Sequence, residues 1–390
     1  MKKVLYVVAK DDFSSPALVG VRKKVDGQCA AFARLGYAPT LLWYEKGRVF
    51  INDNQGAMDA YKKSVFMWKL GSYAHVIKKF FFEKKETYNL IYVRKSGETP
   101  FSIKAAKELR KHAEHIVYEI PTYPYDREIL EVIKRRPLRN KIKPLISLLL
   151  DVASRKHLKK YIDCFAAITD QDECEQIFEA PAIVLCNGID TESLPMRKKT
   201  PDETIVLVGT AHVNYWHGYD RLIKGMYEYY SKDWDKEVLF YIVGDGSYID
   251  GLKNLTKTLR LDGKVLFHGL KEGVELDALL DKADLGVASL GLYRKKLSKT
   301  SELKIREYCA RALPFIVSAP DIALPEDFPW MLRVPNNETS VCIKSVIDFH
   351  QICVDRQESL EEMREYARKN LSWDAQFKAV IDFVDLRRKT

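Results

Sequence analysis

None of the cysteines in this 390-residue sequence has a neighbour at Cys-x-x-Cys spacing. The seven present, at positions 29, 164, 174, 186, 309, 342 and 353, are scattered and odd in number. That argues for reduced thiols in a cytoplasm and against a zinc site or a disulfide framework. No apolar run approaches the ~20 residues of a membrane-spanning helix. The opening MKKVLYVVAKDD is stopped by Lys10, Asp11 and Asp12, so it reads as a first buried strand and not as a signal segment. No Gly-x-Gly-x-x-Gly follows that strand, which argues against a dinucleotide redox enzyme. No helix-turn-helix, zinc-finger or RNA-binding signature accompanies the net charge of +9, so nucleic acid is not an expected partner.

The positive charge is local. Residues 131–160 hold ten Lys or Arg against Glu131 and Asp151, and they enclose the apolar run 145–150 led by Pro144. A second cluster, 78–85, again mixes phenylalanine with lysine. Basic and apolar residues interleaved in this way suit an anionic membrane surface, with a solvated basic helix as the alternative.

Short β-rich runs alternate with helical stretches along the whole chain, the pattern of parallel sheets covered on both faces. Strands are expected at 4–9, 39–44, 90–94, 116–120, 165–169 and 183–186, with a helix at 21–35 ended by Gly36. A second series begins at 205–208 and continues at 238–243, 265–267, 285–288 and 315–318. The expected class is α/β, with two doubly wound Rossmann-like domains. Domain one covers 1–190, a patternless linker with two prolines 191–202, and domain two 203–371. The tail, 372–390, is an amphipathic helix with Phe377, Val380, Ile381 and Val384 on one side and Trp373 as its anchor.

The stretch 298–318, SKTSELKIREYCARALPFIVS, carries the most chemistry. It reads as a polar loop, a helix cappable by Ser298, Thr300 or Ser301, and a strand after Pro314. A loop entering a helix at Thr300, Ser301, Glu302 and Leu303 presents unpaired N–H groups and the positive end of the helix dipole, which suits phosphate. Lys304 adds a point charge. Glu307 could accept hydrogen bonds from the vicinal hydroxyls of a ribose. A surface helix with an ordinary Lys–Glu pair is the alternative.

Other strand ends carry weaker signals. Gly244-Asp245-Gly246 would let a nucleotide approach the backbone, although Gly-Asp-Gly is also a common turn. Gly209-Thr210 precedes Trp216-His217-Gly218, where His217 could donate to a diphosphate, most readily if charged, or cap a helix. Gly269 would border a base and Ser289 would face the diphosphate. In the first half, Gly20, Lys23 and Lys24 stand at the start of the first helix. Glu119, Thr122 and Tyr123 belong to EIPTYPYD, which follows a strand and offers carboxylates and tyrosines to a sugar or simply forms a proline-fixed turn.

EYCARALPFIV resembles the segment of retaining family-four GT-B glycosyltransferases that reads Glu-x-x-Ala-x-Gly-x-Pro-x-Val. Lys304, Glu307 and Tyr308 are similar to the Lys-x-x-Glu-Tyr of a subset of them. The resemblance covers the second half closely and the first in patches, including PALVGVRKKVDGQCAAFARLG and Asn187-Gly-Ile-Asp190. It implies the GT-B arrangement, with the two domains facing each other across a cleft, and a last helix that returns to the first domain. It also implies a ribose-holding role for Glu307 and retention of anomeric configuration. The chain departs from the family at four places, one being EIPTYPYD, which lacks the His that many members carry there. Lys299 stands where the first Glu of the family's Glu-x7-Glu falls, Thr210 takes its usual Arg position and His217 its usual Lys position.

The expected function is transfer of a sugar from a UDP- or GDP-sugar to a glycan, lipid-linked, in bacterial capsule, exopolysaccharide or lipopolysaccharide synthesis. The enzyme would sit at the inner face of the cell membrane. Lys304, His217 and the helix start would stabilise the leaving diphosphate. No cofactor or metal is expected: residues 200–320 read as lacking an Asp-x-Asp and any carboxylate cluster suited to Mg²⁺ against a diphosphate, and Asp245 and Glu302, the nearby candidates, would each act largely alone. The alternatives are a nucleotide-sugar epimerase or phosphorylase of the same fold, and a non-catalytic nucleotide-binding partner of a membrane transferase.

Overall fold

The computed structural model describes the chain except residues 16–17, 47, 54–55, 63–72, 96, 127–128, 131–132, 134–141, 170–173, 199–202, 233 and 388–390. It divides into two compact units, Met1–Cys186 with Trp373–Thr390, and Asn187–Ser372.

The first unit runs β1 (Lys2–Asp12), α1 (Val19–Arg34), β2 (Tyr37–Glu45), β3 (Arg48–Asp53), β4 (Gly56–Lys62), α2 (Tyr73–Lys84), β5 (Tyr88–Arg94), α3 (Pro100–Leu109), β6 (Ala113–Tyr123), α4 (Ile142–Arg155), β7 (Cys164–Thr169), β8 (Gln176–Ile177) and β9 (Ala180–Leu185). The strands form one sheet in the order β4-β3-β2-β1-β5-β6-β7-β9-β8. β1 shows why the sheet is covered on both sides. Leu5, Val7 and Ala9 enter one core with Ile77, Phe80 and Leu109, while Val4, Tyr6 and Val8 enter the other with Val25 and Phe32. The six strands expected from sequence are parallel neighbours. The hairpin β3–β4, which pairs antiparallel onto β2, was not expected.

The second unit runs β10 (Ile205–Thr210), α5 (Tyr219–Tyr230), β11 (Val238–Val243), α6 (Ile249–Thr258), β12 (Val265–Gly269), α7 (Val274–Lys282), β13 (Leu285–Val287), α8 (Leu303–Ala310), β14 (Phe315–Val317), β15 (Met331–Arg333), α9 (Ile343–Asp355) and α10 (Leu360–Tyr366). Its sheet is parallel throughout, ordered β12-β11-β10-β13-β14-β15. The last helix, α11 (Trp373–Arg387), belongs to the first unit. There Phe377 stacks on Phe32 at 4.1 Å between ring centroids.

The segment expected as a patternless linker packs against the second unit in its described part. The Arg197 guanidinium donates to the carbonyls of Ala312 at 3.0 Å and Ala283 at 2.6 Å, and Arg364 donates to the Thr191 carbonyl at 3.0 Å.

Candidate functional site

The order of the second sheet creates a candidate site. Strands β10, β11 and β12 progress to one side and β13, β14 and β15 to the other, so the winding reverses between β10 and β13. Open parallel sheets bind ligands outside the strand carboxyl ends at that point, where the two connections part. Pairing of β10 with β13 covers Leu207↔Leu285 and Val208↔Gly286. Next to it the Tyr308 hydroxyl lies 3.3 Å from the carbonyl oxygens of both Val208 and Val287, and it accepts the Thr210 N–H at 3.4 Å. Tyr308 is fully buried, and a Cβ on Gly286 would meet its ring at 2.6 Å. Tyr308 therefore wedges the two strands at the switch point.

α8 starts beside this wedge. Its N-cap is Glu302, and no side chain caps it. The expected capping by Ser298, Thr300 or Ser301 is thereby corrected. Ser301 turns to Asn187, accepting its N–H at 3.4 Å, and to Arg306 at 3.1 Å. The Thr300 hydroxyl donates to Glu302 at 3.3 Å. The outward N–H groups of Leu303 and Lys304 thus have no side-chain cap and suit an external anion.

Lys304, with 12% of its side chain exposed, holds its ammonium 3.7 Å from Glu302 and 3.5 Å from the Tyr219 hydroxyl. Burial lowers its pKa, and the Glu302 carboxylate opposes that shift. Glu302 accepts the Ser289 hydroxyl at 2.6 Å and the Ser289 N–H at 3.3 Å. A carboxylate therefore does stand at the end of β13. It comes from Glu302, whereas the family's Glu would fall on Lys299.

His217 lies in a short 3-10 turn, Tyr215–His217, and is 9% exposed. Its Nδ1 accepts the Asn214 N–H at 2.9 Å, which leaves Nε2 as the N–H donor. Burial, helped by the nearby charge of Lys304, depresses its pKa to about 3. At neutral pH it is therefore a neutral donor, without the charge that would make donation to a diphosphate easiest, and its bond to Asn214 is the capping contact that the sequence offered as the alternative. Gly218, at φ +65, presses against Leu290 and Gly291, where a Cβ would come within 2.5 Å of the Gly291 nitrogen. The Leu290 N–H binds the His217 carbonyl at 2.8 Å and locks this turn to the end of β13.

The Gly244-Asp245-Gly246 turn serves a different neighbour from the expected nucleotide. A Cβ on Gly244 would stand 1.8 Å from the Ala211 carbonyl oxygen, and one on Gly246 2.2 Å from that of Val213. The close approach there is to protein backbone. Asp245 Oδ1 accepts the N–H of Gly246 at 2.7 Å. Gly209 faces the Tyr219 ring, and Gly269, at φ +66, has open space where its Cβ would be. The expectation that residues 200–320 hold no Asp-x-Asp is corrected, since Asp233-Trp234-Asp235 is one. Asp235 takes the Tyr229 hydroxyl at 3.0 Å ahead of β11, at the amino ends of the strands and away from the switch point.

Glu307 accepts the Arg311 Nε–H at 3.1 Å, with 22% of its side chain exposed. Lys304 therefore pairs with Glu302, not with Glu307. Sequence reasoning missed Arg306 and Asp321, a fully buried ion pair. Arg306 also donates to the Asn187 carbonyl at 2.9 Å, so it fixes the loop that carries Ser301 and Glu302. An arginine among the apolar positions of α8 was its one visible trace.

In the first unit the candidates separate. Glu119 is wholly buried at the end of β6 and accepts from Tyr92 and Gln28, each at 2.9 Å, and from Arg94. Lys24 lies 3.2 Å from it. Burial pushes the Glu119 pKa up, but Lys24 and Arg94 more than offset this and hold it at about 2. Burial also lowers Lys24 to about 8 against the pull of Glu119, so the pair is charged at neutral pH. The expectation that Glu119 meets sugar hydroxyls is corrected, because its oxygens tie α1 to β5. Lys23 is exposed and Lys24 buried, so the two do not share one face. Gly20 has open space around it, Thr122 is exposed and Tyr123 half-buried.

No protein-family model matches the chain, and no curated protein is similar to it by sequence. Solved structures are similar in fold. A glycosyltransferase from Rickettsia africae aligns over 98% of this chain and 97% of its own, at 13% identity and a TM-score of 0.61. Sucrose-phosphate synthase from Thermosynechococcus elongatus aligns over all of both chains, at 14% identity and 0.60. The chain has the GT-B glycosyltransferase fold. A third GT-B structure, Anabaena HepE in complex with UDP and glucose, aligns over 99% of this chain and 100% of its own, at 14% identity and 0.54.

Proposed function

We propose that this protein is a nucleotide-sugar-dependent glycosyltransferase that binds its donor at the switch point of the second unit. The observation that carries the reading is the convergence there of the α8 start, the Lys304 ammonium and the neutral His217 turn. These groups offer backbone dipoles, one cation and one N–H donor to a departing diphosphate, as charge develops on it. Glu307 is the proposed acceptor for the ribose hydroxyls. Glu302, braced by Ser289 and Thr300, is the carboxylate available to the sugar or to the orientation of Lys304. The fold shared with HepE, solved with UDP and glucose, supports a UDP-sugar as the first donor to try. The proposed acceptor is a bacterial glycan carried on a lipid, met at the inner membrane surface from the cytoplasm.

Transfer is proposed to retain the donor's anomeric configuration and to need no metal. Asp245 and Glu302 are each engaged with protein donors, and cationic and backbone groups supply the charge compensation. The test is an NMR assignment of the product anomer, with reactions run in EDTA and in Mg²⁺. Retention at equal rates in both is expected. Inversion overturns the stereochemical reading, and turnover lost in EDTA but restored by Mg²⁺ overturns the metal-free one.

A further inference from the structure

Helix α4 is built inside out. Its buried positions are polar, Asp151 at 2% exposure and Ser154 at 3%, while Ile142, Leu145, Ile146, Leu149 and Val152 are all exposed. Spacing of three and four residues puts those five on one stripe. The polar side is what holds the helix to the unit. Asp151 accepts the Tyr125 hydroxyl at 2.9 Å and the backbone N–H of Glu98. Arg155 binds Asp126 at 2.9 Å and lies over the Phe178 ring at 4.3 Å. A contiguous aliphatic stripe on the outside of a folded unit marks a surface that something apolar covers.

We infer that α4 lies flat in an anionic lipid surface, its aliphatic stripe entering the acyl boundary. The inference deepens the membrane partner of the proposed function, and it rests on the helix itself and not on donor chemistry. Charge identifies the lipid. The exposed Lys156, Lys159 and Lys160 follow α4 directly, Lys156 and Lys159 sharing the Glu179 carboxylate at 2.7 Å each, and the one acid within the helix, Asp151, is buried. Upstream, Lys134, Arg135, Arg136, Arg139 and Lys141 add five cations in sequence, although they lie outside the described residues. α3 exposes Phe101 with the Lys104 ammonium 5.8 Å from its ring centroid, the same pairing of ring and cation. Fourteen residues span ~21 Å, too short to cross a ~30 Å hydrocarbon core, so the helix rests in the interface. Because Tyr125 and Asp126 are bonded to its polar side, the EIPTYPYD loop is anchored to the element that meets the lipid.

The experiment is sedimentation of the full chain with vesicles of phosphatidylcholine alone, or with about a third phosphatidylglycerol. The parent is expected to bind only the anionic vesicles. Leu145→Ser, Ile146→Ser and Leu149→Ser together should cut that partition at least ~tenfold, since each aliphatic group contributes about that factor when buried. A separate variant, Leu149→Trp, should add an emission component that shifts to the blue on vesicle binding and is quenched by brominated lipid. Nucleotide binding by the triple variant is measured alongside and should equal the parent's. Equal binding to neutral vesicles, no binding, or no blue shift in the added emission of Leu149→Trp overturns the inference, and leaves the donor reading intact if nucleotide still binds. A parent that ignores vesicles but forms a dimer dissolved by the triple variant also overturns it, in favour of a second copy on this face.

Discussion

At the scale of single residues, the proposed donor site depends on which groups are charged at neutral pH. His217, held near a pKa of 3, is a neutral donor, and the proposed cation is the Lys304 ammonium, 3.7 Å from the Glu302 carboxylate. Glu307 is the proposed acceptor for ribose hydroxyls, through the oxygen not taken by Arg311. Glu307→Gln should therefore weaken nucleotide-sugar binding at least ~tenfold, since a hydrogen bond to a charged group contributes ~1.5–3 kcal/mol. Equilibrium titration with a circular-dichroism check of the fold measures this. Affinity equal to the parent's for every nucleotide would remove Glu307 from the site. Glu302 could not have been assigned its neighbours from sequence, because Ser289 reaches it only through the β13–α8 arrangement.

At the scale of elements, buried charge does the fastening. In the first unit Glu119 joins α1, β5 and β6 through Lys24, Gln28, Tyr92 and Arg94. Its folded pKa of about 2 lies below the ordinary carboxylate range, so the unfolded chain takes up the proton first as pH falls. The stability it contributes is complete above about pH 4.5 and is lost as pH falls towards 2. Glu119→Gln leaves Lys24 and Arg94 buried without their anion. It should cost about 3–5 kcal/mol at neutral pH and flatten the acid dependence in that window. Urea melts of both proteins across the window measure it, and an unchanged slope would contradict the account.

The strands and the α8 helix were legible because buried parallel strands are continuous apolar runs and helices carry a 3.6-residue stripe. The β3–β4 hairpin was not, since β3 has only three apolar residues, Val49, Phe50 and Ile51, between Arg48 and Asn52-Asp53. The helix caps were misjudged for a similar reason. Ser301 has the chemistry of a cap, but Asn187 and Arg306, distant in sequence or a turn away, claim it. Gly244 and Gly246 were read as room for a nucleotide or as a common turn, and what crowds them is the Ala211 and Val213 backbone. Ala312 takes φ +54 where the resembling segment carries Gly, a strained position that no local pattern announced.

At the scale of the whole molecule, a fold shared at 13–14% identity with full-length glycosyltransferases shows how little sequence a doubly wound unit fixes. What it requires is apolar runs at strand spacing, small residues where strands and turns crowd, and donors at the strand ends. The proposed function rests on the few side chains gathered where β10 and β13 part. The most direct measurement is calorimetric titration of the parent and of Lys304→Met with a panel of nucleoside diphosphates and their sugars. The account predicts that one nucleoside diphosphate binds the parent and that Lys304→Met, with the fold intact, loses at least ~tenfold in its affinity. Binding of none of the panel, or equal binding by Lys304→Met, would contradict it.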